Sequence, residues 1–400
     1  MSIALHIGDC RAVLATLPDA SVHCVVTSPP YWGLRDYGTA TWEGGDPACS
    51  HEGNERWYTE QTAATSSAGA FSQPGQANID RLKKGRWREK GSCTKCGAIH
   101  SDAQLGLEPD FNAYVANMVA VFREVRRVLR DDGTLWLNLG DSYAAQRGGT
   151  NMPAETLAGG INGKGDSDTH RGRLGGPFDF EKTRHANRQA HRDARSQGLK
   201  HKDLCGIPWR VAFALQADGW YLRQDIIWSK PNPMPESVTD RCTKAHEYLF
   251  LLSKRERYYY DADAIAEDVK PWNEGKIIGY DGTQKNCETI GDPRFATRIT
   301  SDRVVGSKRN KRSVWEVTTQ PFSEAHFATF PPALIEPCIK AGCPVGGTVL
   351  DPFGGAGTTG LVADRLQRNA VLIELNPTYA AMSSNRIKDD APLFAEVAQP

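Results

Sequence analysis

No stretch of the sequence approaches the roughly 18 consecutive apolar residues that a membrane-spanning helix requires, and the first residues lack the charged, apolar and small-residue order of an export signal. Both absences lead to the expectation of a cytoplasmic chain with no membrane partner. Net charge is missing too. The 48 basic residues are matched by 48 acidic ones, which argues against a generally sticky polycation, so contact with a polyanion would have to use local basic faces. No internal repeat is visible, which argues against solenoids and propellers. Ten cysteines are present, but without an export signal they are not expected to form disulfides. With 40% hydrophobic content over 400 residues, the chain can bury a large core and should exceed one ordinary domain.

What is present is concentrated in two short segments far apart in the chain. Thr27-Ser28-Pro29-Pro30-Tyr31-Trp32 follows the apolar run from Val22 to Val26, and Asp351-Pro352-Phe353-Gly354-Gly355-Ala356-Gly357-Thr358-Thr359-Gly360 follows Val349 and Leu350. Each sits where a strand stops. In open α/β sheets, ligands bind outside the carboxyl ends of the strands, so two such loops would form the halves of one crevice. Gly355, Gly357 and Gly360 make a G-x-G-x-x-G turn that allows a ligand to approach the backbone. A second short strand, Ala370 to Ile373, then delivers Glu374 about 20 residues on, where a carboxylate can accept ribose hydroxyls. An adenosine-type cofactor is the expected ligand.

The other loop has a different chemistry. Pro29 and Pro30 stiffen the backbone and remove two N–H donors, so the loop offers carbonyl oxygens and the Ser28 hydroxyl as acceptors. Such acceptors suit an exocyclic amino group, whose lone pair is delocalised into its ring until the hydrogens are held out of plane. Tyr31 offers a face on which an extruded base can stack.

Together these segments resemble the amino-methylating DNA methyltransferases, in the permuted class called beta. Their catalytic motif is Asp/Asn/Ser-Pro-Pro-Tyr/Phe, and their S-adenosylmethionine motif centres on Phe-x-Gly-x-Gly, here Phe353, Gly355 and Gly357. Leu5 to Asp9, Phe122 to Leu129 with Gly133 to Asn138, and His326 to Pro332 match further family segments. The resemblance implies catalytic roles for Ser28, Pro29, Pro30 and Tyr31. It implies cofactor contacts from Asp9, Thr329, Phe330, Asp351, Phe353, Gly355, Gly357, Thr358 and Glu374. Serine at the first catalytic position is the family's more common choice for cytosine N4, and Asp or Asn for adenine N6. Cytosine C5 chemistry would need a cysteine nucleophile, and none lies in residues 27 to 32. Implied partners are double-stranded DNA, a second copy of the chain and a cognate restriction endonuclease. A nicotinamide-dependent oxidoreductase and a non-catalytic zinc-bearing DNA-binding protein are the competing readings. RNA and protein glutamine methylation use Asn-Pro-Pro-Tyr loops, which Ser28 counts against.

Cys93-Thr94-Lys95-Cys96-Gly97 has the spacing of a metal knuckle, and Cys49 and His51 can complete a tetrahedral structural zinc site, with His100 competing for the fourth position. Periodicity predicts helices over Phe111 to Arg130, Pro208 to Ala217 and Pro332 to Lys340, the last stopping at Gly342, and strands at Thr134 to Leu139, Leu222 to Trp228 and Tyr248 to Leu252. The alternation predicts an α/β fold with a doubly wound, mostly parallel Rossmann-like sheet, which the resemblance makes seven-stranded with permuted motif order. The catalytic core is expected over 1–42, 107–253 and 323–390. Three blocks interrupt it: a zinc-binding insertion at 43–106, a basic insertion at 143–203 and a target-recognition region at 254–322. The third includes Arg303 to Arg312, with five cations in ten positions, read as a DNA-contacting face or as solvated surface.

Overall fold

The computed structural model describes residues 1–33, 37–51, 92–93, 95–144, 198–269, 277–278, 303–304, 307–320, 329–390 and 396–398. The first strand, β1 (Ser2–Ile7), buries Ile3 and Leu5 on alternate positions. Helix α1 (Cys10–Thr16) starts at Asp9, whose side chain accepts from the Arg11 N–H. Strand β2 (Val22–Thr27) is buried along almost its whole length, as expected of a central parallel strand covered on both faces. A small ribbon follows, β3 (Thr41–Glu43) antiparallel to β4 (Ile99–Ser101).

Helix α2 (Phe111–Val128) is capped by Asp110 and turns Phe111, Tyr114, Met118, Val121, Phe122, Val125 and Val128 inward. It passes directly into β5 (Leu129–Leu139). The periodic pattern predicted a helix to Arg130 and a strand only from Thr134. The difference lies at Gly133, where the β2–β5 pairing shifts register between Val22 and Cys24. A Cβ there would lie 2.5 Å from Leu129 Cδ1 and 3.0 Å from the His23 carbonyl, so the glycine carries the bulge rather than stopping the helix.

Helix α3 (Ile207–Ala217) leads to β6 (Tyr221–Ser229) and β7 (His246–Ser253). Four two-residue strands and one of three residues come next: β8 (Glu267–Asp268), β9 (Ile277–Ile278), β10 (Arg303–Val304) and β11 (Lys308–Arg309) as pairs β8–β11 and β9–β10, then β12 (Val314–Glu316). The chain closes with α4 (Pro332–Gly342), β13 (Thr348–Asp351), α5 (Thr358–Arg365), β14 (Asn369–Glu374), α6 (Pro377–Asp390) and β15 (Glu396–Ala398).

The main sheet runs β12-β6-β7-β5-β2-β13-β14-β1-β15. Every pairing is parallel except the two made by β7. Side chains of α1, α2 and α3 pack in one core and those of α4, α5 and α6 in another, so the sheet is covered on both faces as expected. Nine strands replace the expected seven, β12 and β15 having been added at the edges. No helix among the described residues is long and apolar enough to cross a membrane.

Block 254–322 departs from its expected limits. Tyr259 N donates to the Asp132 carbonyl and Asp261 N to that of Ala341 (2.8 and 2.9 Å), and β12 joins the sheet beside β6. Because β7 runs against its neighbours, the chain after Ser253 leaves from the edge opposite the carboxyl ends of β2 and β13, and β12 carries it back across. Within the basic run, Lys308 pairs with Asp268, and Arg309, Lys311 and Arg312 share Glu267, so two carboxylates offset part of the charge of these four cations. Residues 145–197, most of the basic insertion, lie outside the described residues, as do 52–91 and 326–328.

Helix α4 lies close enough to the sheet that Gly342, its last residue rather than the stop beyond it, has no room for a side chain. A Cβ there would sit 2.5 Å from Thr134 Oγ1 and 2.8 Å from Cys24 Sγ and Trp136 Nε1. Gly342→Ala is expected to cost about 1–3 kcal/mol through overpacking, read as a lowered urea midpoint; an unchanged midpoint would refute the close approach.

Candidate active site

Strands β2 and β13 pair in parallel, Cys24 opposite Val349 and Val25 opposite Leu350, so the Ser28 and Phe353 loops leave the same edge of the sheet. A buried carboxylate holds them there. Asp351, 1% exposed, accepts from Thr27 Oγ1 and Thr359 Oγ1, each at 2.6 Å, and from Phe353 N at 3.1 Å. Burial pushes its carboxyl up to about 6, against the opposing pull of these donors. Expected as a cofactor contact, Asp351 instead lies beneath the crevice as a brace. Gly357 is likewise absent from the cavity wall. Its φ is +72°, and a Cβ would fall 2.1 Å from Ser383 Oγ; its lack of a side chain lets α5 start against α6.

Above the brace lies a cavity of about 340 Å³, within the range of ligand sites. Asp9, Ser28, Pro29, Pro30, Tyr31, Thr329, Phe330, Phe353, Gly355, Thr358 and Glu374 all line it. The two motifs therefore share one cavity although they lie at opposite ends of the chain. Glu374 is held by backbone donors on both oxygens, Gly355 N to Oε2 and Asn376 N to Oε1, each at 2.8 Å. Burial raises its pKa and those N–H groups oppose the rise. Burial also acts to raise Asp9, but the Arg11 hydrogen bonds and charge outweigh it and hold the carboxyl below its ordinary value.

The catalytic-type loop is oriented from behind by polar side chains. Tyr31 has one hydroxyl hydrogen, and Glu247 Oε2 at 2.7 Å takes it. Glu247 is ion-paired with Lys230, both side chains being 17% exposed. Asn138 donates to the Tyr248 carbonyl (3.1 Å) and towards Glu247 (3.3 Å), so its Oδ1 faces Ser28 Oγ at 3.3 Å. Ser28 Oγ can thus donate to Asn138 Oδ1 or, at 3.4 Å, to the Tyr31 hydroxyl oxygen, and with its proton so placed its lone pairs are open to the cavity. Burial and the Glu247 charge push the Tyr31 phenol well above its ordinary value, so it stays protonated. The ring packs on Gly140, where a Cβ would meet Cε2 at 2.5 Å, and the Tyr114 hydroxyl donates to the Pro30 carbonyl at 2.9 Å. Cys10 also lines the cavity, but burial and the Asp9 charge push its thiol up to about 12, which leaves it protonated and unsuited to nucleophilic attack at neutral pH.

Several wall residues were not anticipated from the sequence. Tyr37, Thr39, Ala103, Gln104 and Leu105 come from the two arms of the β3–β4 ribbon, Tyr379 from α6 and Glu247 from the first turn of β7. The available signal for Glu247 was an acidic residue opening an otherwise apolar strand. The loop after β6 is tied to the chain after β12, Thr319 N donating to Asn232 Oδ1 at 3.0 Å.

At the far end of the ribbon, Cys49, His51, Cys93 and Cys96 converge, with one ligand atom from each lying within 4.8 Å of the others. Cys49 and Cys93 sulfurs are 3.8 Å apart, too far for a disulfide. That matches the edge of about 3.8 Å in a tetrahedron with metal–sulfur bonds of about 2.3 Å. Backbone N–H groups of Cys96 and Lys95 help hold the Cys93 thiol down at about 7. His51 stacks on Trp42 at 4.6 Å between centroids. The His100 side chain lies outside the described residues.

Comparison with known proteins gives a consistent pattern. The N6/N4 methyltransferase family model, a DNA methylase, matches residues 22–385. The type II methyltransferase M.Cfr9I of Citrobacter freundii is 37% identical over 383 residues, covering 96% of this chain and 87% of its own length. M.SmaI of Serratia marcescens is 37% identical over 386 residues, covering 96% and 91%. Among solved structures, the cytosine-N4-specific PvuII DNA methyltransferase aligns with all of this chain and 95% of its own at 16% identity, with a TM-score of 0.49.

The brace predicts a pH signature. A folded pKa near 6, above the ordinary 3.8, means that the stability contributed by neutral Asp351 is complete below about pH 4 and is lost as pH rises through about 6. Other carboxylates titrate as well, so the test is a difference: Asp351→Asn should gain on the wild type, by on the order of 2–3 kcal/mol, between pH 4 and 7. Denaturation curves that run parallel across that window would show that the carboxylate is not destabilised in the fold.

Proposed function

The chain belongs to the N6/N4 amino-methylating DNA methyltransferases, and we propose that it methylates cytosine N4 in double-stranded DNA, with S-adenosylmethionine as donor in the rim cavity. Membership sets aside the oxidoreductase and non-catalytic readings. The observation that supports the finer assignment is serine at position 28, the family's more common choice for cytosine N4, which lines the shared cavity.

The cofactor supplies an electrophilic methyl group on a sulfonium centre. Phe353, Gly355 and Thr358 with Glu374 would hold it, the carboxylate accepting ribose hydroxyls, and Asp9, Thr329 and Phe330 would complete its surroundings. The target base leaves the duplex stack and lies against Tyr31, whose ring cannot swing away while Glu247 holds its hydroxyl. Ser28 and the Pro29 carbonyl accept from the amino hydrogens, which draws the nitrogen lone pair out of conjugation. Positioning supplies much of the rate, and no covalent enzyme intermediate is involved. DNA contact is assigned to the blocks that spring from the cavity rim, 43–106 and 143–203 with the Trp228–Pro235 loop. We assign a structural zinc to Cys49, His51, Cys93 and Cys96, whose donor set and spacing fit it. A restriction endonuclease recognising the same site is the implied partner.

Ser28→Ala should leave cofactor affinity within about twofold and lower turnover on the order of 10²-fold, as expected when a single transition-state contact is removed. Glu374→Ala should do the reverse, weakening cofactor binding about 10- to 100-fold while retaining rate at saturation. Equilibrium binding and single-turnover assays separate the two, and exchanged phenotypes would refute the roles. Base-resolved sequencing of DNA from cells expressing the chain should report N4-methylcytosine at a fixed motif; N6-methyladenine would overturn the cytosine assignment and leave family membership intact.

A further inference from the structure

We infer that the metal cluster is the anchor of one wall of the cofactor cavity, so that metal occupancy sets cofactor affinity. The inference rests on the zinc assignment above and goes beyond it. The β3–β4 ribbon has the cluster at one end and the cavity at the other. Towards the cluster, β3 runs through Gly44 and Gly45 to Cys49 and His51, and β4 is entered from Cys93 and Cys96. Towards the cavity, the same two arms supply Tyr37 and Thr39 on one side and Ala103, Gln104 and Leu105 on the other.

Hydrogen bonds tie those arms together next to the ligand space. Tyr37 N donates to Gln104 Oε1 at 2.7 Å, Thr39 Oγ1 to Asp102 Oδ1 at 2.8 Å, and Gln104 N to the same Asp102 oxygen at 2.9 Å. From the opposite side, Asn376 Nδ2 donates to the Tyr37 carbonyl at 3.3 Å, and Tyr37 meets Tyr379 edge to face at 6.3 Å. Asn376 also donates its N–H to Glu374, so the ribbon wall and the ribose-side carboxylate are coupled through one residue.

At the cavity end Gly33 N also donates to the Gly106 carbonyl at 2.8 Å. Between that end and the cluster the ladder is short: among the described residues three residue pairs join β3 and β4, and Thr41, Glu43 and Ile99 are exposed. An isolated two-stranded ribbon is marginal in water. In sequence its two metal-binding arms are separated by residues 52–91. A metal bound by Cys49 and His51 on one arm and Cys93 and Cys96 on the other closes that stretch at the ribbon's base. The packing at the base is tight: a Cβ on Gly45 would lie 2.8 Å from Cys96 Sγ and 2.9 Å from the Ala98 backbone nitrogen. Released from the metal, the arms would separate, and Tyr37 and Gln104 would no longer be held at the cavity.

The test is direct binding, independent of turnover. Full-length protein is purified, its zinc content measured by mass spectrometry, and its affinity for S-adenosylhomocysteine measured by calorimetry as purified, after chelation, and after readdition of zinc chloride. One equivalent of zinc is expected, with affinity falling at least tenfold on chelation and recovering with stoichiometric zinc. Cys96→Ser should reproduce the loss, and Gln104→Ala should weaken binding several-fold while retaining its zinc. If zinc is bound and removed but affinity stays within twofold, the coupling is wrong and the metal assignment stands. If the protein holds well below one equivalent and added zinc changes nothing, both fall. Should Cys96→Ser fail to fold, the chelation and readdition arms on wild type decide.

Discussion

Two threonine hydroxyls on one buried carboxylate hold together chain segments more than three hundred residues apart, and the chemistry assigned to this protein depends on that contact. Asp351 receives Thr27 from the end of β2 and Thr359 from the first turn of α5. Apolar packing alone would place β2 beside β13, but it would not fix how far each strand projects before its loop turns away. Directional bonds do so within a few tenths of an ångström. Burying the carboxylate costs stability whenever it is ionised, and the fold offsets that cost with three donors. A site that must bring an amine and a sulfonium carbon into line tolerates little play, which explains why so expensive a group sits under it.

A second polar layer acts on Ser28 and Tyr31. The Lys230–Glu247 pair is mostly buried, and losing either partner would expose the other to an uncompensated charge. Its value lies in direction. Glu247 accepts from Tyr31 and Asn138, which turns the Asn138 carbonyl oxygen towards Ser28. Asn138 lies on β5, Glu247 on β7 and Lys230 directly after β6, so the loop is oriented by the sheet behind it.

This division explains what the sequence made legible. Ser28 to Tyr31, Phe353, Gly355 and Glu374 could be recognised because their chemistry is local: prolines, glycines and a carboxylate at strand ends carry their meaning within a few residues. Asp351 and Gly357 belong to the same motif, yet their work is done against Thr27 and Ser383, partners no local pattern names. The early start of β5 was hidden for the same reason, since the bulge at Gly133 is packed against the His23 carbonyl on another strand. The basic run at 303–312 was read from composition, which does not reveal that Glu267 and Asp268 lie opposite it. Gln104 was hidden by the boundary that placed it in the metal-knuckle block, and Tyr37, inside the expected core, belongs to no local motif.

Sheet direction constrains where recognition can be built. Strands β2, β5, β6 and β13 all point their carboxyl ends at the cavity, so the segments following Thr27, Leu139 and Ser229 begin beside it. Strand β7 is reversed: Glu247, at its start, reaches the cavity, and the chain after Ser253 departs from the far edge, with Tyr259 and Asp261 bonded there to Asp132 and Ala341. Only after β12 has recrossed the sheet does the chain reach Thr329 and Phe330 at the rim. Long insertions are cheap to close, since closure entropy grows slowly with length, and they can therefore accumulate wherever a loop leaves the sheet. Those rooted at the rim begin beside the cavity, while one rooted at the far edge has to span the sheet to reach it. The blocks after β2 and β5 leave the sheet at the cavity rim, and the block after β7 leaves it at the far edge and returns through β12.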